Sequence, residues 1–432
     1  MELFKKEFVQ VTVPPFEKQN AKNLIKASKL LELINNEVFK DAIITFYDFE
    51  SLDFYVPIGN VDLAYNYVSY ITNKYEYVNL WSKNNCVDVM VEKPKEEDEK
   101  SELYFEFNFL RDDDGVVYDH LKAKSIYDSS SMFYNDRELS KYINFLKSRN
   151  SKVLTSLSDR NRLISAVNDS WNKQYERSPN TLTERKFRFL KDKNNNHYLR
   201  SITTERYEEY GVAFSFVIAI FSLHKLMQKD KGLNLKINSL SLNESKFEMI
   251  VSTGNSIYIE EIDNFISSSL SIKNNDLGDR SLSFTHTLKL YPKQDEEKKI
   301  YLYPKLKQNE LNYKMSISHT AGIDKVLQLF NNLGLVIYSM DEYVKDFKGI
   351  AKTNTPDELR AKIEEKIISN NSPYKEIKEL KDLFTRSKNQ HIDNLAKLLE
   401  ICQKAEMIEM DYDIKFKLRY LISNVLLYGN NN

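Results

Sequence analysis

Carboxylates that could hold a metal ion are grouped in the run 112–115 (Asp-Asp-Asp-Gly), with Asp119 and His120 close behind it. In isolation this run resembles a cation-binding loop. A calcium loop, however, needs an acid at its twelfth position, and this run has none there. We therefore interpret residues 112–115 as an acidic turn, and leave open whether it or the acidic stretch 96–99 binds a cation.

Two further acidic groups could support metal chemistry. Asp88 and Glu92, followed by Lys93, come nearest to a two-metal nuclease, in which acids at strand ends converge with a lysine. Asp411 and Asp413 lie in a lysine-rich helical segment, where alternating charge is typical of a solvated face. Neither group has the complete spacing of a known metal-binding motif.

Histidine and cysteine give no support for a metal centre. The six histidines include no pair at the i,i+4 spacing of a zinc-binding helix face. The two cysteines, Cys86 and Cys402, are too few for zinc ribbons or fingers. We predict no metal site, no cofactor and no catalytic residue, and keep a metal-dependent nuclease built on Asp88, Glu92 or Asp112 as a third interpretation.

Glycine is too scarce for a phosphate-binding loop. The chain has 10 glycines in 432 residues, and no two of them are closer than Gly322 and Gly334. The dinucleotide fingerprint, the P-loop and the GxSxG nucleophile elbow all need neighbouring glycines, because the backbone must turn tightly or approach a phosphate. ATPases, Rossmann-type dehydrogenases and ordinary α/β-hydrolases are therefore excluded.

A basic hairpin is the strongest candidate for binding. Two alternating segments, 186–190 and 197–202, flank the turn-forming triplet 194–196 (Asn-Asn-Asn), and Phe187 and Phe189 alternate with cations. Cations can neutralise phosphates, and aromatic rings can stack on unpaired bases. We predict nucleic-acid binding as the first interpretation. The predicted contacts are Lys186, Arg188, Lys191, Lys193, Arg200 and Arg206, with Tyr198 and Tyr207 as stacking platforms.

The same hairpin has a purely structural interpretation. Phe187 and Phe189 would be core residues, and the cations would form a solvated face or pair with acidic segments elsewhere. The alternative function is that of a structural or assembly subunit, a virion component for example, that binds other proteins or its own copies. The 27 tyrosines and 24 phenylalanines suit large interfaces, because aromatic side chains supply contact area at low entropic cost.

Two other polar groups have structural interpretations. His224, near the end of an apolar segment, is predicted to be a core or capping histidine rather than a ligand. Residues 274–280 are predicted to form a turn around Gly278, where a positive φ costs little.

Composition indicates a folded protein without a strong electrostatic field. Apolar residues make up 41% of the chain, and Lys+Arg 62 nearly balance Asp+Glu 63. The few cysteines indicate a reducing compartment. The N-terminus lacks a signal-peptide pattern, and the longest apolar run, 211–223, is shorter than the roughly 20 residues of a membrane span. We expect a cytoplasmic protein, no membrane contact, and a core helix at 211–223.

Periodicity predicts an α+β fold in three consecutive regions: an N-terminal α+β lobe over 1–150, a central β-rich domain with the basic hairpin over 151–320, and an all-helical region over 321–432. The central domain is expected to hold a mixed or antiparallel sheet with a buried helix. The predicted strands are 8–13, 42–47, 87–92, 103–110, 235–242, 246–252, 257–260, 270–274, 281–290 and 300–303, and the predicted helices are 61–71, 138–147, 159–177, 323–346, 357–369, 374–387, 391–402 and 414–427.

Three stretches of sequence resemble the uncharacterised phage/plasmid-like protein family. They are HYLRSITTERY (197–207), LSLNESKFEMIVS (240–252) and LSIKNNDLGDRSLSF (270–284), together with the helix end SLHKL. The resemblance covers about residues 185 to 345, although the family's Cys-Asn-Gly turn is replaced after Leu290 by Tyr-Pro-Lys. It implies a phage or mobile-element protein acting in replication or defence, in the host cytoplasm or the virion. It implies no catalytic residue.

Overall fold

The computed structural model shows an α+β protein with helices at its C-terminal end, as predicted. Two compact units interleave along the chain. Unit 1 contains Met1–Tyr70, Tyr210–Asn275 and Ser281–Asn432, and unit 2 contains Ile71–Glu209 and Asp276–Arg280. The described residues are 4, 6–13, 24–92, 102–135, 139, 142, 156–178, 182–277, 282–304, 314–333, 355–386 and 391–429.

The described ranges contain 17 strands and 11 helices. The strands are β1 Val11–Thr12, β2 Ile25–Lys26, β3 Tyr55–Val56, β4 Glu76–Lys83, β5 Val87–Glu92, β6 Glu102–Phe107, β7 Leu110–Arg111, β8 Val117–Tyr118, β9 Leu121–Ser125, β10 Glu184–Lys191, β11 His197–Thr203, β12 Leu235–Leu242, β13 Lys246–Ile259, β14 Asn264–Asn275, β15 Leu282–Pro292, β16 Ile300–Leu302 and β17 Lys314–Ile317. The helices are α1 Ala27–Leu31, α2 Glu37–Tyr47, α3 Val61–Thr72, α4 Ser129–Asn135, α5 Leu157–Arg177, α6 Gly211–Lys229, α7 Ile323–Asn331, α8 Pro356–Ile368, α9 Lys378–Phe384, α10 Leu395–Met407 and α11 Tyr412–Tyr428.

Unit 1 is built on an antiparallel sheet in the order β1-β12-β13-β14-β15-β16, with β17 also paired to β15. A small antiparallel pair, β2 and β3, belongs to the same unit. Strands β14 and β15 form the long centre of the sheet, where ten consecutive residue pairs run from Asn264↔Pro292 to Lys273↔Ser283. Their two faces alternate between apolar and hydroxyl-bearing side chains, as a strand period of two requires.

Helix α6 packs on the apolar face of this sheet. Twelve of its residues are buried, because apolar side chains occur all round the helix. The rings of Phe216 and Phe247 lie 6.3 Å apart, and Asn274 Nδ2 donates to the carbonyl of Gly211. The helix is long and apolar enough to span a membrane, but 67% of its apolar window is buried inside the structure. The predicted core helix is confirmed, and its burial is that of a soluble protein.

The C-terminal helices form a second apolar core against β14, β15 and β16. Leu359, Leu398 and Val425 are fully buried there beside Leu288 and Leu290 of β15. Local signals fix the helix ends: Thr355 and Glu358 form a capping box before α8, and Gly429 ends α11 in the left-handed region with φ 62°. The predicted helical character of this region is therefore confirmed within residues 355–386 and 391–429.

Unit 2 is built on an eight-stranded sheet in the order β5-β6-β9-β11-β10-β4-β7-β8. Only β9 and β11 pair in parallel. The predicted basic hairpin is confirmed as β10 and β11, but it is not an exposed arm, because β10 also pairs with β4 from Glu184↔Lys83 to Lys191↔Glu76. The hairpin therefore lies at the centre of a sheet whose other strands come from the predicted N-terminal lobe.

Helix α5 covers one edge of the unit 2 sheet. A capping box of Ser156 and Asp159 starts the helix. The side chain of Asn161 donates to the carbonyl of Val91 at 2.9 Å and accepts from its N–H at 2.8 Å. These bonds satisfy backbone groups of β5 that would otherwise face water at the sheet edge.

Several predicted elements differ from the structure. The strand predicted over 42–47 is wrong, because these residues belong to helix α2. Asn36 caps this helix, and Ile43 and Tyr47 are buried one turn apart on it. Thr203 and Thr204 precede the core helix and have side chains suited to an N-cap, but Thr203 ends β11 and the N-cap position of α6 is Tyr210. Several sequence features lie outside the described residues. They are the charged loop 93–100 expected between the strands 87–92 and 103–110, most of the predicted helix 138–147, the Pro-Asn pair 179–180 expected as a joint between domains, residues 278–280 of the predicted turn, and residues 334–346 of the predicted helix 323–346.

The units do not coincide with the predicted boundaries near residues 150 and 320. The first 70 residues belong to unit 1, while the hairpin joins unit 2. Strand pairing causes this arrangement, because β1 pairs with β12 across about half of the chain, Val11 lying opposite Leu242.

A buried ionic cluster joins α11 to the sheet of unit 1. Glu248 is 1% exposed and pairs with Lys273 at 2.9 Å and with Arg419 at 3.2 Å. Arg419 is 2% exposed and also pairs with Glu406 of α10 at 2.5 Å. Burial alone would raise the pKa of Glu248, but the charges of Lys273 and Arg419 outweigh it and lower the pKa to about 2.

Replacing the buried carboxylate tests this cluster. Glu248→Gln leaves the buried Arg419 and the partly buried Lys273 without their shared anion, so we expect the free energy of unfolding to fall by about 3 kcal/mol at neutral pH. The folded-state pKa of about 2 lies below the ordinary 4.5. The wild-type protein should therefore lose this stabilisation as the pH falls from about 4.5 towards 2, and the variant should lack this component. Urea denaturation followed by circular dichroism measures both effects.

The matched control is Glu400→Gln, which removes the carboxylate of an exposed pair with Lys404 at 2.8 Å on α10. Exposed pairs of this kind contribute about 0.5 kcal/mol or less. Equal losses in the two variants would contradict the structural role assigned to Glu248.

Candidate functional surfaces

The two aromatic residues of the basic hairpin belong to the core. Phe187 and Phe189 are both fully buried, and their rings lie 5.0 and 5.3 Å from that of Phe107. They cannot stack on bases. The predicted alternation of aromatics on one face and cations on the other is confirmed for β10.

Arg188 and Arg200 are buried and share one carboxylate. Arg188 is 2% exposed and Arg200 is fully buried, and both pair with Glu209. Arg188 also donates through Nε to Thr203 at 2.9 Å and through Nη2 to the carbonyl of Tyr207 at 3.0 Å. Burial lowers the pKa of Arg200 to about 10. The structure therefore does not present these two predicted contacts to a nucleic acid.

Two lysines of the hairpin are paired with acids near the surface. Lys186 pairs with Asp113 at 2.9 Å and lies 5.1 Å from the ring centroid of Trp81. Lys191 pairs with Glu76 at 3.0 Å. A phosphate would have to compete with these carboxylates for each ammonium group.

The remaining predicted contacts are more accessible. Lys193 and Arg206 are exposed, and neither has a carboxylate partner in the described part of the chain. Tyr198 is half-buried and donates to Asp192 at 3.1 Å. Tyr207 is half-buried beneath the guanidinium of Arg188, which lies 4.5 Å from its ring centroid. Of the eight predicted residues, the structure thus leaves two as exposed, unpaired cations.

The predicted acidic turn at 112–115 is present. Asp112 Oδ1 accepts from the N–H groups of Asp114 at 3.0 Å and Val116 at 2.8 Å, and Gly115 has φ 84°. Asp113 is engaged by Lys186 and by the indole N–H of Trp81 at 2.6 Å. The carboxylate oxygens of Asp112 and Asp113 thus serve the turn and its neighbours.

The other acids considered for metal binding also have protein partners. Asp88 accepts from Asn108 at 3.5 Å, Glu92 pairs with Lys122, and Asp411 caps α11 by accepting from the N–H of Asp413 at 2.9 Å. Among the described residues, no group of three or more His, Cys, Asp or Glu side chains is arranged to hold a metal ion.

One buried pair resembles a nucleophile and its base. Ser268 Oγ lies 3.0 Å from His286 Nε2, between β14 and β15. Burial lowers the pKa of His286 to about 4, so the ring is neutral. Ser268 is 4% exposed and His286 1%, so no substrate can reach the hydroxyl in this conformation. The pair was missed in the sequence because its members are 18 residues apart and meet only through strand register. His224 is also buried, stacked at 5.2 Å on Phe54, as predicted for a core histidine.

The second edge of the unit 2 sheet is strand β8. Among the residues that the structure describes, β8 pairs only with β7, through Leu110↔Tyr118 and Arg111↔Val117. Val116 and Val117 are 54% and 51% exposed, and Tyr118 and Phe109 are exposed as well. Contiguous exposed apolar side chains on a free strand edge are typical of an interaction site.

Comparison of the chain with protein-family models, with curated protein sequences and with solved structures gives no match. The interpretation of these surfaces therefore depends on their own geometry.

Removing the shared carboxylate of the hairpin tests its structural role. Glu209→Gln removes the carboxylate that the buried guanidinium groups of Arg188 and Arg200 share, so we expect unit 2 to lose about 3 kcal/mol of stability. Amide hydrogen exchange in β10 and β11 measures this loss locally. Glu76→Gln is the control, because its carboxylate is 64% exposed beside Lys191 and should contribute at most about 1 kcal/mol. Unchanged protection in Glu209→Gln would show that the two arginines do not need this anion.

Proposed function

We propose that this protein is a non-enzymatic assembly subunit that binds a partner protein at the free edge of β8. The observation that supports the proposal is the difference between the two edges of one sheet. Asn161 satisfies backbone groups of β5, whereas β8 has no strand or helix beside it in the described chain. An extended segment of a partner could add to this edge as a further strand.

The backbone of Val117 supplies the bonding groups. Asp112 N–H donates to the carbonyl of Val116 at 3.0 Å, so the backbone carbonyl of Val116 points towards the chain of β7. Inward and outward groups alternate along an antiparallel edge, so the N–H and C=O of Val117 point outward. The side chains of Val116, Val117 and Tyr118 would then contribute apolar contact.

Charge around the edge indicates the chemistry of the partner. Asp114 and Asp119 flank β8 and are both exposed, and the carboxylate of neither has a hydrogen-bonding or ionic partner among the residues that the structure describes. A second copy of β8 would bring the same acids together, which disfavours self-pairing. We therefore infer an extended partner segment in which basic residues alternate with apolar ones.

The cellular setting is part of the same proposal. The resemblance of residues 185–345 to the phage/plasmid-like family and the small number of cysteines support a phage or mobile-element protein in the host cytoplasm or virion. An assembly role during replication or defence fits this setting.

Replacing Val117 by proline tests the edge. Val117→Pro removes the outward N–H and blocks strand addition, so we expect the affinity for an alternating lysine-valine octapeptide to fall at least tenfold. Fluorescence polarisation with the labelled peptide measures the affinity, and Val117→Thr, which keeps the N–H, should bind nearly as well as the wild type.

Three results would contradict this proposal. They are saturable binding that survives Val117→Pro, equal binding of a glutamate-valine peptide, and a wild-type protein that binds neither peptide. Light scattering on the wild type and on Asp119→Lys adds an independent measurement. A stable wild-type dimer that the substitution disrupts would assign the edge to self-association instead.

We propose nucleic-acid binding as a second function, supported by the exposed, unpaired cations Lys193 and Arg206. Loop cations of this kind can contact phosphates without displacing a carboxylate.

The double variant Lys193→Glu, Arg206→Glu should weaken binding of a single-stranded oligonucleotide at least tenfold. It should also reduce the slope of log affinity against log salt concentration by the amount expected for about two phosphate contacts. Gel shifts at several salt concentrations measure this, with the double variant Lys74→Glu, Lys83→Glu as a charge-matched control in the same unit. An oligonucleotide that the wild type leaves unshifted would refute this function.

A further inference from the structure

An open cleft in unit 1 is lined by residues of α1, α3 and β3. Its volume is about 540 Å³, which lies within the range of about 300–1,000 Å³ typical of small-ligand sites. Lys29 of α1 and Glu32 at its C-cap are three residues apart, as are Asp62 and Tyr65 of α3. Residues at this spacing share one face of a helix, so each helix presents a single face to the cleft, and Tyr55 of β3 contributes a further side.

The α3 side of the cleft has a buried carboxylate oxygen without a partner. Asp62 Oδ1 makes no hydrogen bond with any residue that the structure describes. Glu32, on the α1 side, is exposed, and its negative charge adds to the effect of burial in raising the pKa of Tyr65. A carboxylate can only accept hydrogen bonds, and an ammonium group of a ligand supplies both donors and the opposite charge.

The cleft also contains an ammonium group without an anion. Lys29 Nζ lies 4.8 Å from the ring centroid of Tyr65 and has no carboxylate partner in the described ranges. Lys26 differs, because Asp53 neutralises it at 3.0 Å. The ring of Tyr65 covers one side of the Lys29 ammonium, which has three N–H groups to donate. Charges of both signs are thus left unpaired in one cleft, and they do not pair with each other.

The rest of the lining is largely apolar. Leu24 and Tyr55 are 46% and 52% exposed, whereas Ile25 and Tyr65 are buried. Exposed apolar side chains beside a cleft are removed from water when a ligand packs on them, which favours binding. The lining therefore suits a ligand that carries an apolar group next to its charges.

We propose that this cleft binds a small zwitterion with an apolar side chain, namely an α-amino acid or a dipeptide. Asp62 and Glu32 accept hydrogen bonds from the ammonium of the ligand, Lys29 donates to its carboxylate, and Leu24 and Tyr55 contact its side chain. A ligand with a single charge satisfies one side of the cleft and leaves the other side unpaired. The cleft belongs to unit 1 and β8 to unit 2, so this binding is additional to the protein partner proposed above.

Ligands that each lack one feature of leucine test the site. Isothermal calorimetry at neutral pH should show saturable binding of leucine to the wild type. Leucinamide lacks the carboxylate, 4-methylpentanoate lacks the ammonium and glycine lacks the side chain, so each should bind at least tenfold more weakly. Leucyl-leucine keeps both charges. Tighter binding of this dipeptide than of leucine would assign the cleft to peptides, and weaker binding would assign it to free amino acids.

Two substitutions locate the charges of the ligand. Asp62→Asn should weaken leucine binding at least tenfold and remove its advantage over 4-methylpentanoate. Lys29→Gln should weaken leucine binding equally and remove its advantage over leucinamide. Asp41→Asn and Lys231→Gln are the matched controls, because both residues are exposed in unit 1 and neither lines the cleft.

Thermal denaturation without ligand separates binding from folding. Asp62→Asn should keep or raise the thermal midpoint, because it removes a charge with a buried, unpartnered oxygen. Three results would overturn the proposal. They are a wild type that binds neither leucine nor leucyl-leucine saturably, equal binding of leucine and either singly charged analogue, and control variants that weaken leucine binding as much as Asp62→Asn and Lys29→Gln do.

Discussion

Carboxylates that each pair with two cations are the interaction on which both units depend. Glu248 holds Lys273 and Arg419 in unit 1, and Glu209 holds Arg188 and Arg200 in unit 2. Taking an isolated charge out of water is costly, so a buried cation needs an anion with suitable geometry. Glu248 joins β13 and β14 to α11, which is distant in sequence, whereas Glu209 joins the two strands of one hairpin to the chain that follows them.

This constraint explains why a sequence with many cations has so few available for binding. Much of the basic hairpin is used internally, because its central position in the eight-stranded sheet places Arg188 next to Glu209 and Lys186 next to Asp113. The near-zero net charge of the chain has the same consequence at the level of composition. The cations left exposed and unpaired among the described residues of the hairpin and the loop after it are Lys193 and Arg206.

The two sheets differ in where their unpaired hydrogen-bonding groups lie. The sheet of unit 2 covers one edge with Asn161 and leaves the other open and apolar, which suits a macromolecular partner. The sheet of unit 1 instead keeps unpartnered hydroxyl groups inside, at Ser267, Ser269 and Thr287.

The sequence by itself determined the α+β class, the hairpin β10–β11, the core helix α6 and the helical character of the described C-terminal ranges. These elements follow from local signals, such as alternation, apolar periodicity, capping boxes and turn residues, which act within a few residues of one another. Strand 42–47 was predicted wrongly because β-branched residues outweighed the cap at Asn36. Only the tertiary structure decided that Arg188 and Arg200 are buried, that the hairpin joins strands of the N-terminal part, and that Ser269 lies opposite Thr287. Burial and register depend on pairing between distant segments, for which a single sequence contains no local signal.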